Sequence, residues 1–164
     1  MKTLLLMRHA KSSWGNPSLS DHDRPLNKRG EKACRTMGTF LSQQNRVPDK
    51  IICSTAKRAR ETVTGLLETL SIECEIVYTR ALYLADVDTM LEQLHPLSIE
   101  FRVVMLVGHN PGMDEFLEVI CNEPEHMPTA AIAEIRFNIS SWQELTANTP
   151  AKLNNLWKPR EIQA

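Results

Sequence analysis

The chain has almost no net charge: 19 Lys and Arg stand against 20 Asp and Glu, leaving −1 over 164 residues. Without a basic surplus, nothing in the composition points to nucleic acid or to an anionic membrane surface. No apolar run approaches the length of a transmembrane helix. The N-terminal run Leu4–Met7 is too short for a signal-peptide core and lacks a small-residue cleavage site. Cysteine is sparse, and Cys34, Cys53, Cys74 and Cys121 form neither a CxxC pair nor a metal-finger spacing. Buried, reduced thiols in a cytoplasmic protein are the expectation. No internal repeat, low-complexity tract or linker divides the chain, so a single domain over 1–164 is expected, with monomer as the default state. A hydrophobic fraction of 42% is ordinary for a soluble globular protein.

What is present is a series of short apolar runs, each ending in polar chemistry. Leu4-Leu5-Leu6-Met7 reads as a strand buried on both faces, and it runs directly into Arg8 and His9. Lys11 to Leu26 has the Ser, Gly, Asn and Pro content of a loop, and its length after a first strand suggests a functional segment. Asn27 has the chemistry of a helix N-cap, and a helix is expected from there to about Gln44, weakened by Gly30 and Gly38. Ile51-Ile52-Cys53 is a second strand, ending at Ser54-Thr55 and followed by a helix through Leu70. Arg58 and Arg60 fall in its first turn, where cations oppose the helix dipole and a bound anion would be welcome. A strand at Glu75–Tyr78, a helix at Val87–Leu94, a strand at Phe101–Val107 and a helix at Met113–Ile120 follow. Between the last two lies the turn Gly108-His109-Asn110-Pro111-Gly112. Ala133–Phe137 alternates apolar and polar residues and predicts a strand near a sheet edge, with a last strand near Leu153–Trp157. Alternating strands and helices predict an α/β sandwich around a largely parallel sheet.

Arg8, His9, Arg58 and His109 each sit just beyond a strand, in a strand-to-helix crossover, where open α/β sheets bind ligands. Two guanidiniums can chelate phosphoryl oxygens bidentately, and a neutral imidazole can attack phosphorus. A metal site is the rival reading for two histidines, but flanking arginines would repel a cation, and no carboxylate cluster of metal-binding type accompanies them.

These residues also carry a resemblance. Leu6-Met7-Arg8-His9-Ala10 resembles the Arg-His signature of the histidine phosphatase superfamily. Ser54-Thr55-Ala56-Lys57-Arg58-Ala59-Arg60-Glu61-Thr62 is similar to its second block, S-x-x-x-R-A-x-x-T, and Val107-Gly108-His109-Asn110 to its third. Asp23-Arg24-Pro25-Leu26-Asn27-Lys28-Arg29-Gly30 is similar to the family's D-x-P-L-T-x-x-G stretch. The short chain, the Asp-Arg-Pro-Leu loop and Met127-Pro128-Thr129-Ala130-Ala131 look most like the SixA-type phosphohistidine phosphatases. The resemblance implies a three-layer α/β/α sandwich of the phosphoglycerate mutase-like type, built on a mostly parallel mixed sheet. It implies His9 as nucleophile, Arg8, Arg58 and His109 as the phosphoryl clamp, and no metal or other cofactor. Family spacing selects Arg58 and makes Arg60 peripheral.

One departure bears on substrate. Many members carry a proton-donating glutamate in an L-x-E segment after the third strand; the matching segment here is Leu82-Tyr83-Leu84, with leucine at the acid's place. An alkoxide leaving group needs a proton, whereas an imidazole leaves readily, its conjugate acid having a pKa of about 6.5. Asp21, Asp86 and Asp88 are the loop carboxylates that could substitute, each expected instead to be a helix cap or a solvated charge. The expectation is a metal-independent phosphohydrolase acting on phosphohistidine in a partner protein, without nucleic acid or membrane. The alternatives are a small-molecule phosphomonoesterase or mutase of the same superfamily, and a phosphate-binding module without turnover.

Overall fold

A computed structural model of the chain describes residues 1–162. Six strands form one sheet: β1 (Lys2–Arg8), β2 (Lys50–Ser54), β3 (Glu75–Thr79), β4 (Val103–Gly108), β5 (Ile132–Phe137) and β6 (Ala151–Trp157). Their spatial order is β3-β2-β4-β1-β5-β6. The pairings among β3, β2, β4 and β1 are parallel, and β5 and β6 add antiparallel to β1. The helices are α1 (Lys28–Gln43), α2 (Lys57–Leu70), α3 (Val87–Leu94), α4 (Gly112–Cys121) and the short α5 (Pro159–Ile162).

Alternation along the buried strands divides the core in two. Leu4 and Leu6 of β1 face α3, α4 and Trp142, whereas Leu5 and Met7 face α1 and α2. This is the expected three-layer sandwich, and every predicted element is present. No helix among the described residues is long and apolar enough to cross a membrane. Cys34 and Cys53 are buried, Cys74 and Cys121 half-buried, and all four are free thiols.

Helix α1 starts where Asn27 accepts a hydrogen bond from the Gly30 amide at 2.8 Å, satisfying one of the open donors of the first turn. Its buried face, Gly30, Cys34, Met37, Gly38 and Leu41, follows helical spacing. The glycines that cost this helix propensity are explained by contact distance. A Cβ on Gly38 would lie 2.3 Å from the Leu66 carbonyl oxygen of α2, and one on Gly30 would lie 2.2 Å from the Lys11 carbonyl oxygen.

The strand predicted near an edge differs in one respect. β5 is paired on both sides and almost wholly buried, because β6 covers it as the true edge strand. The residue that gave the alternation, Glu134, is itself buried. Arg46 Nε approaches its Oε2 at 2.6 Å, and Asn155 donates to its Oε1 at 2.9 Å. A register shift between Glu134 and Ile135 brings Asn154 Nδ2 to the same oxygen at 3.4 Å. A carboxylate reads as outward-facing until its partners, distant in sequence, are known.

Because Lys11 follows the end of β1, packing at Gly30 bears on the residues just beyond that strand. Gly30→Ala is expected to lower stability by about 2 kcal/mol despite the better helix propensity of alanine, since the neighbour is backbone and cannot rotate away. Chemical denaturation monitored by circular dichroism checks it; an unchanged or raised midpoint would contradict the contact.

Candidate active site

The C-terminal ends of β2, β4 and β1 lie side by side, so the residues that follow them share one crevice. His9 follows β1 and is pinned by its amide to the Gly108 carbonyl of β4 at 3.0 Å. His109 follows β4, and the two imidazole centroids are 5.1 Å apart. Arg58 enters from the first turn of α2. The buried face of that helix, Arg58, Ala59, Thr62, Val63, Leu66 and Leu70, carries Arg58 inward, while Arg60, two positions on, is exposed and donates to the Thr55 carbonyl.

The hydrogen bonds fix the proton positions on both rings. His9 Nδ1 lies 2.7 Å from the Ala10 carbonyl oxygen, which can only accept, so Nδ1 carries the proton. Nε2 is then a lone pair, and Arg58 Nε donates to it at 3.4 Å. On His109 the arrangement is reversed: Arg58 Nη2 donates to Nδ1 at 3.3 Å, and Nε2 faces the Ser54 hydroxyl at 2.8 Å. The Ala10 carbonyl that orients His9 is itself held, since the Ala10 amide donates to Thr62 Oγ1 at 3.0 Å and Thr62 donates to the Arg58 carbonyl at 2.6 Å. One threonine therefore ties the nucleophilic edge of β1 to the helix that presents Arg58.

Burial and positive neighbours keep both rings neutral. His9 is 7% exposed and His109 3%. Burial is the main cause that lowers the pKa of His9 to about 4, helped by Arg58, Arg8 and Arg24 and opposed by the Ala10 carbonyl. Burial also leads in lowering His109 to about 3, reinforced by His9, Arg58 and His22 and opposed by Asp21.

Arg8 donates to the Met127 carbonyl at 3.0 Å, while its Nε is buried and makes no hydrogen bond among the described residues. Met127 is placed by Asp114, whose Oδ1 accepts from the Met127 amide at 2.8 Å. The four residues singled out in the sequence are thus gathered at one sheet edge. Among the described residues no three His, Cys, Asp or Glu side chains gather as a metal site requires.

The three carboxylates of the sequence reading part company. Asp86 caps α3 by accepting from the Thr89 amide at 2.9 Å, and Asp88 lies in the first turn of the same helix, as expected. Asp21 is neither cap nor solvated charge. Its Oδ2 meets Arg58 Nη2 at 3.0 Å, its backbone oxygen accepts from Arg58 Nη1 at 2.6 Å, and its Oδ1 meets Arg24 Nη1 at 2.9 Å. The Tyr83 hydroxyl donates to the same Oδ2. This phenolic hydrogen bond is the leading cause that holds the Asp21 carboxyl well below the usual carboxylate range, with Arg24 and Arg58 adding to it.

Asp21 reaches Arg58 because the loop 11–26 folds back on itself. Ser12 bridges Leu26, the Ser13 amide donates to the Pro25 carbonyl at 2.8 Å, and Arg24 binds the Ser13 carbonyl and the Ser12 hydroxyl. Arg24 also stacks on Trp14, 3.2 Å from the ring centroid. A short turn of helix at Asp21–Asp23 then delivers the aspartate. Tyr83 and His22, given no role in the sequence reading, complete the rim: the Tyr83 ring packs edge-on against His109 at 5.4 Å and His22 at 4.8 Å. Leu84, at the place of the family's acid, is 56% exposed and adopts a left-handed backbone.

Residues 4–83 match the histidine phosphatase superfamily (branch 1). An uncharacterized chloroplastic protein of Arabidopsis thaliana is 30% identical over 155 residues, covering 89% of this chain and 71% of its own. An uncharacterized protein of Mycobacterium leprae is 41% identical over 108 residues, 64% of this chain, and the match spans 65% of that relative's length. A crystal structure assigned to the phosphohistidine phosphatase SixA of Agrobacterium tumefaciens superposes with a TM-score of 0.82 at 29% identity, covering 96% of this chain and 98% of the other. Sequence, sheet order and crevice agree, and the chain belongs to the histidine phosphatase superfamily.

Proposed function

We propose that this protein is a phosphohistidine phosphatase that works through a transient phosphoryl group on His9. The observation that carries the reading is the pairing of the His9 Nδ1 proton with the Ala10 carbonyl, which leaves Nε2 as an unprotonated nucleophile beside Arg58. In the first step Nε2 attacks phosphorus. The bond to the substrate imidazole breaks, and its electron pair returns to a ring already protonated on its other nitrogen, which leaves as neutral imidazole without a proton from the enzyme. Arg8 and Arg58 stabilise the charge on the phosphoryl oxygens, and the unpartnered Nε–H of Arg8 is a donor already in place for one of them. His109 can join the clamp because the Ser54 hydroxyl can reverse its hydrogen bond, donating to Nε2 while Nδ1 carries a proton toward phosphate. No cofactor is assigned a role.

Two features support a protein substrate over a small alkyl ester. The segment 82–84 supplies leucine instead of an acid near the leaving group, and the SixA assignment of the Agrobacterium tumefaciens structure names a phosphohistidine phosphatase. Beside the crevice, Lys11, Arg29, Lys32, Lys158 and Arg160 outnumber Glu125 and Glu161 along a cleft of about 720 Å³. In a chain of net charge −1, this gathering of cations suits an acidic surface around the phosphorylated side chain. A monomer in a cytoplasmic, reducing setting fits the free thiols.

Metal-free turnover of a phosphohistidine peptide is expected to exceed that of an alkyl phosphomonoester by at least about 10²-fold, the rate span that a general acid ordinarily supplies. His9→Ala is expected to abolish it, and Arg58→Ala to lower kcat by about 10²-fold or more. Equal turnover of the alkyl ester, or an active His9→Ala variant, would overturn the reading.

The ring environments generate a pH prediction. His9 has its proton affinity lowered from 6.5 to about 4, so the nucleophile is neutral above pH 6.5 and is lost only as pH falls through about 4. Stability falls in the same direction, but beginning at a higher pH. The unfolded chain takes up protons near 6.5 and the folded chain does not, so the folded state loses stability as pH drops from about 6.5 toward 4. Histidine NMR titration is expected to give a midpoint near 4 for His9 and near 3 for His109. A midpoint near 6.5 for His9 would contradict the assignment.

A further inference from the structure

We infer that Asp21 is a catalytic residue of the second half-reaction: it occupies the phosphoryl clamp in the empty site and serves as the base that activates water against phospho-His9. The inference rests on the function proposed above and adds a residue to it.

A carboxylate on a buried arginine is ordinarily structural, and three details set this one apart. Arg58 spends its Nη1 and Nη2 donors on Asp21, yet Nε and Nη2 also reach His9 Nε2 and His109 Nδ1, the two atoms between which a phosphoryl group must lie. Asp21 therefore stands where an anionic oxygen of the substrate would stand. Secondly, its side chain is 44% exposed while that of Arg58 is 5% exposed, so the carboxylate closes the solvent side of the guanidinium. An in-line water attacking phospho-His9 arrives from the side opposite Nε2, and a half-exposed carboxylate on Arg58 is open to such a water. Thirdly, Asp21 does not depend on Arg58 to stay at the rim. Arg24 Nη1 holds Oδ1 at 2.9 Å and the Tyr83 hydroxyl holds Oδ2, so a phosphoryl group can take over the Arg58 donors without releasing the carboxylate from the site.

Exchange of the carboxylate for a phosphoryl oxygen on Nη2 keeps that donor paired, and loss of the Arg58 contact, one of the causes that hold the carboxyl below its usual range, raises the proton affinity of Asp21 at the moment water is needed. The step balances. Water oxygen bonds to phosphorus and one water proton passes to an Asp21 carboxylate oxygen. The phosphorus–Nε2 bond breaks with its electron pair returning to His9, whose proton stays on Nδ1, and the phosphate leaves as the hydrogen phosphate dianion. Asp21 then returns its proton to solvent and closes on Arg58 again. The first half-reaction needs no such group, because the departing imidazole requires no proton. The other loop carboxylates do not compete: Asp86 is engaged as the cap of α3, and Asp88 lies on that helix.

The test follows label from a phosphohistidine peptide carrying radioactive phosphate into the full-length enzyme, with quenching in alkali, where phosphohistidine survives. Asp21→Asn is expected to take up label at a rate within a few-fold of wild type and to release it about 10²-fold more slowly, so that phosphoenzyme accumulates. Asp21→Ala is expected to behave likewise, with release restored by added formate, a rescue that a merely structural aspartate would not show. Label that leaves Asp21→Asn as fast as wild type would overturn the inference, as would slow release in Asp21→Ala that formate leaves unchanged. Failure of wild type to take up label at all would instead remove the phosphoenzyme, and with it the function proposed above. Circular dichroism at the assay temperature, showing wild type and both variants equally folded, excludes unfolding as the cause of any loss.

Discussion

Arg58 is a buried cation held among two imidazoles and the Asp21 carboxylate. A guanidinium taken from water is costly unless its donors are satisfied, and breaking a buried pair commonly costs about 3–5 kcal/mol. The fold meets that demand in a particular way. Helix α2 turns Arg58 inward with Ala59, Thr62, Val63, Leu66 and Leu70, and the loop 11–26 closes over it to supply Asp21. The cation is stable in the empty site and still able to change partners, which a permanent buried salt bridge would forbid.

Several features around it are consequences of that arrangement. The loop must be internally braced, hence the Ser12–Leu26 bridge and the Arg24 contacts with Ser12, Ser13 and Trp14. The end of β1 must not drift from α2, hence Thr62 between the Ala10 amide and the Arg58 carbonyl. The start of α1 must approach Lys11 closely, hence glycine at position 30. The positive field of Arg58, Arg8 and Arg24, added to burial, holds the His9 ring neutral so that it can act as a nucleophile.

Much of this was legible in the sequence because it is local. Strand ends, crossover helices and the residues just beyond them follow from apolar runs and turn chemistry, and the motif resemblance selects Arg58 over Arg60. What escaped is what depends on distant chain. Asp21 reads as a loop carboxylate until the loop is folded against α2. Tyr83 reads as an aromatic beside a missing acid, although its hydroxyl, not its neighbour Leu84, is the group that enters the site. Glu134 imitates an outward strand position because Arg46 and Asn155 are remote from it in sequence. Alternation reports burial only where polar side chains lack a buried partner.

The central claim is that His9 Nε2 is the atom that carries the phosphoryl group. Nitrogen-15 labelling of histidine, with spectra recorded on phosphoenzyme made to accumulate at low temperature, tests it directly. The account predicts one-bond phosphorus–nitrogen coupling to Nε2 of His9, with a proton still on Nδ1. Coupling to Nδ1, to another histidine or to no nitrogen would contradict it.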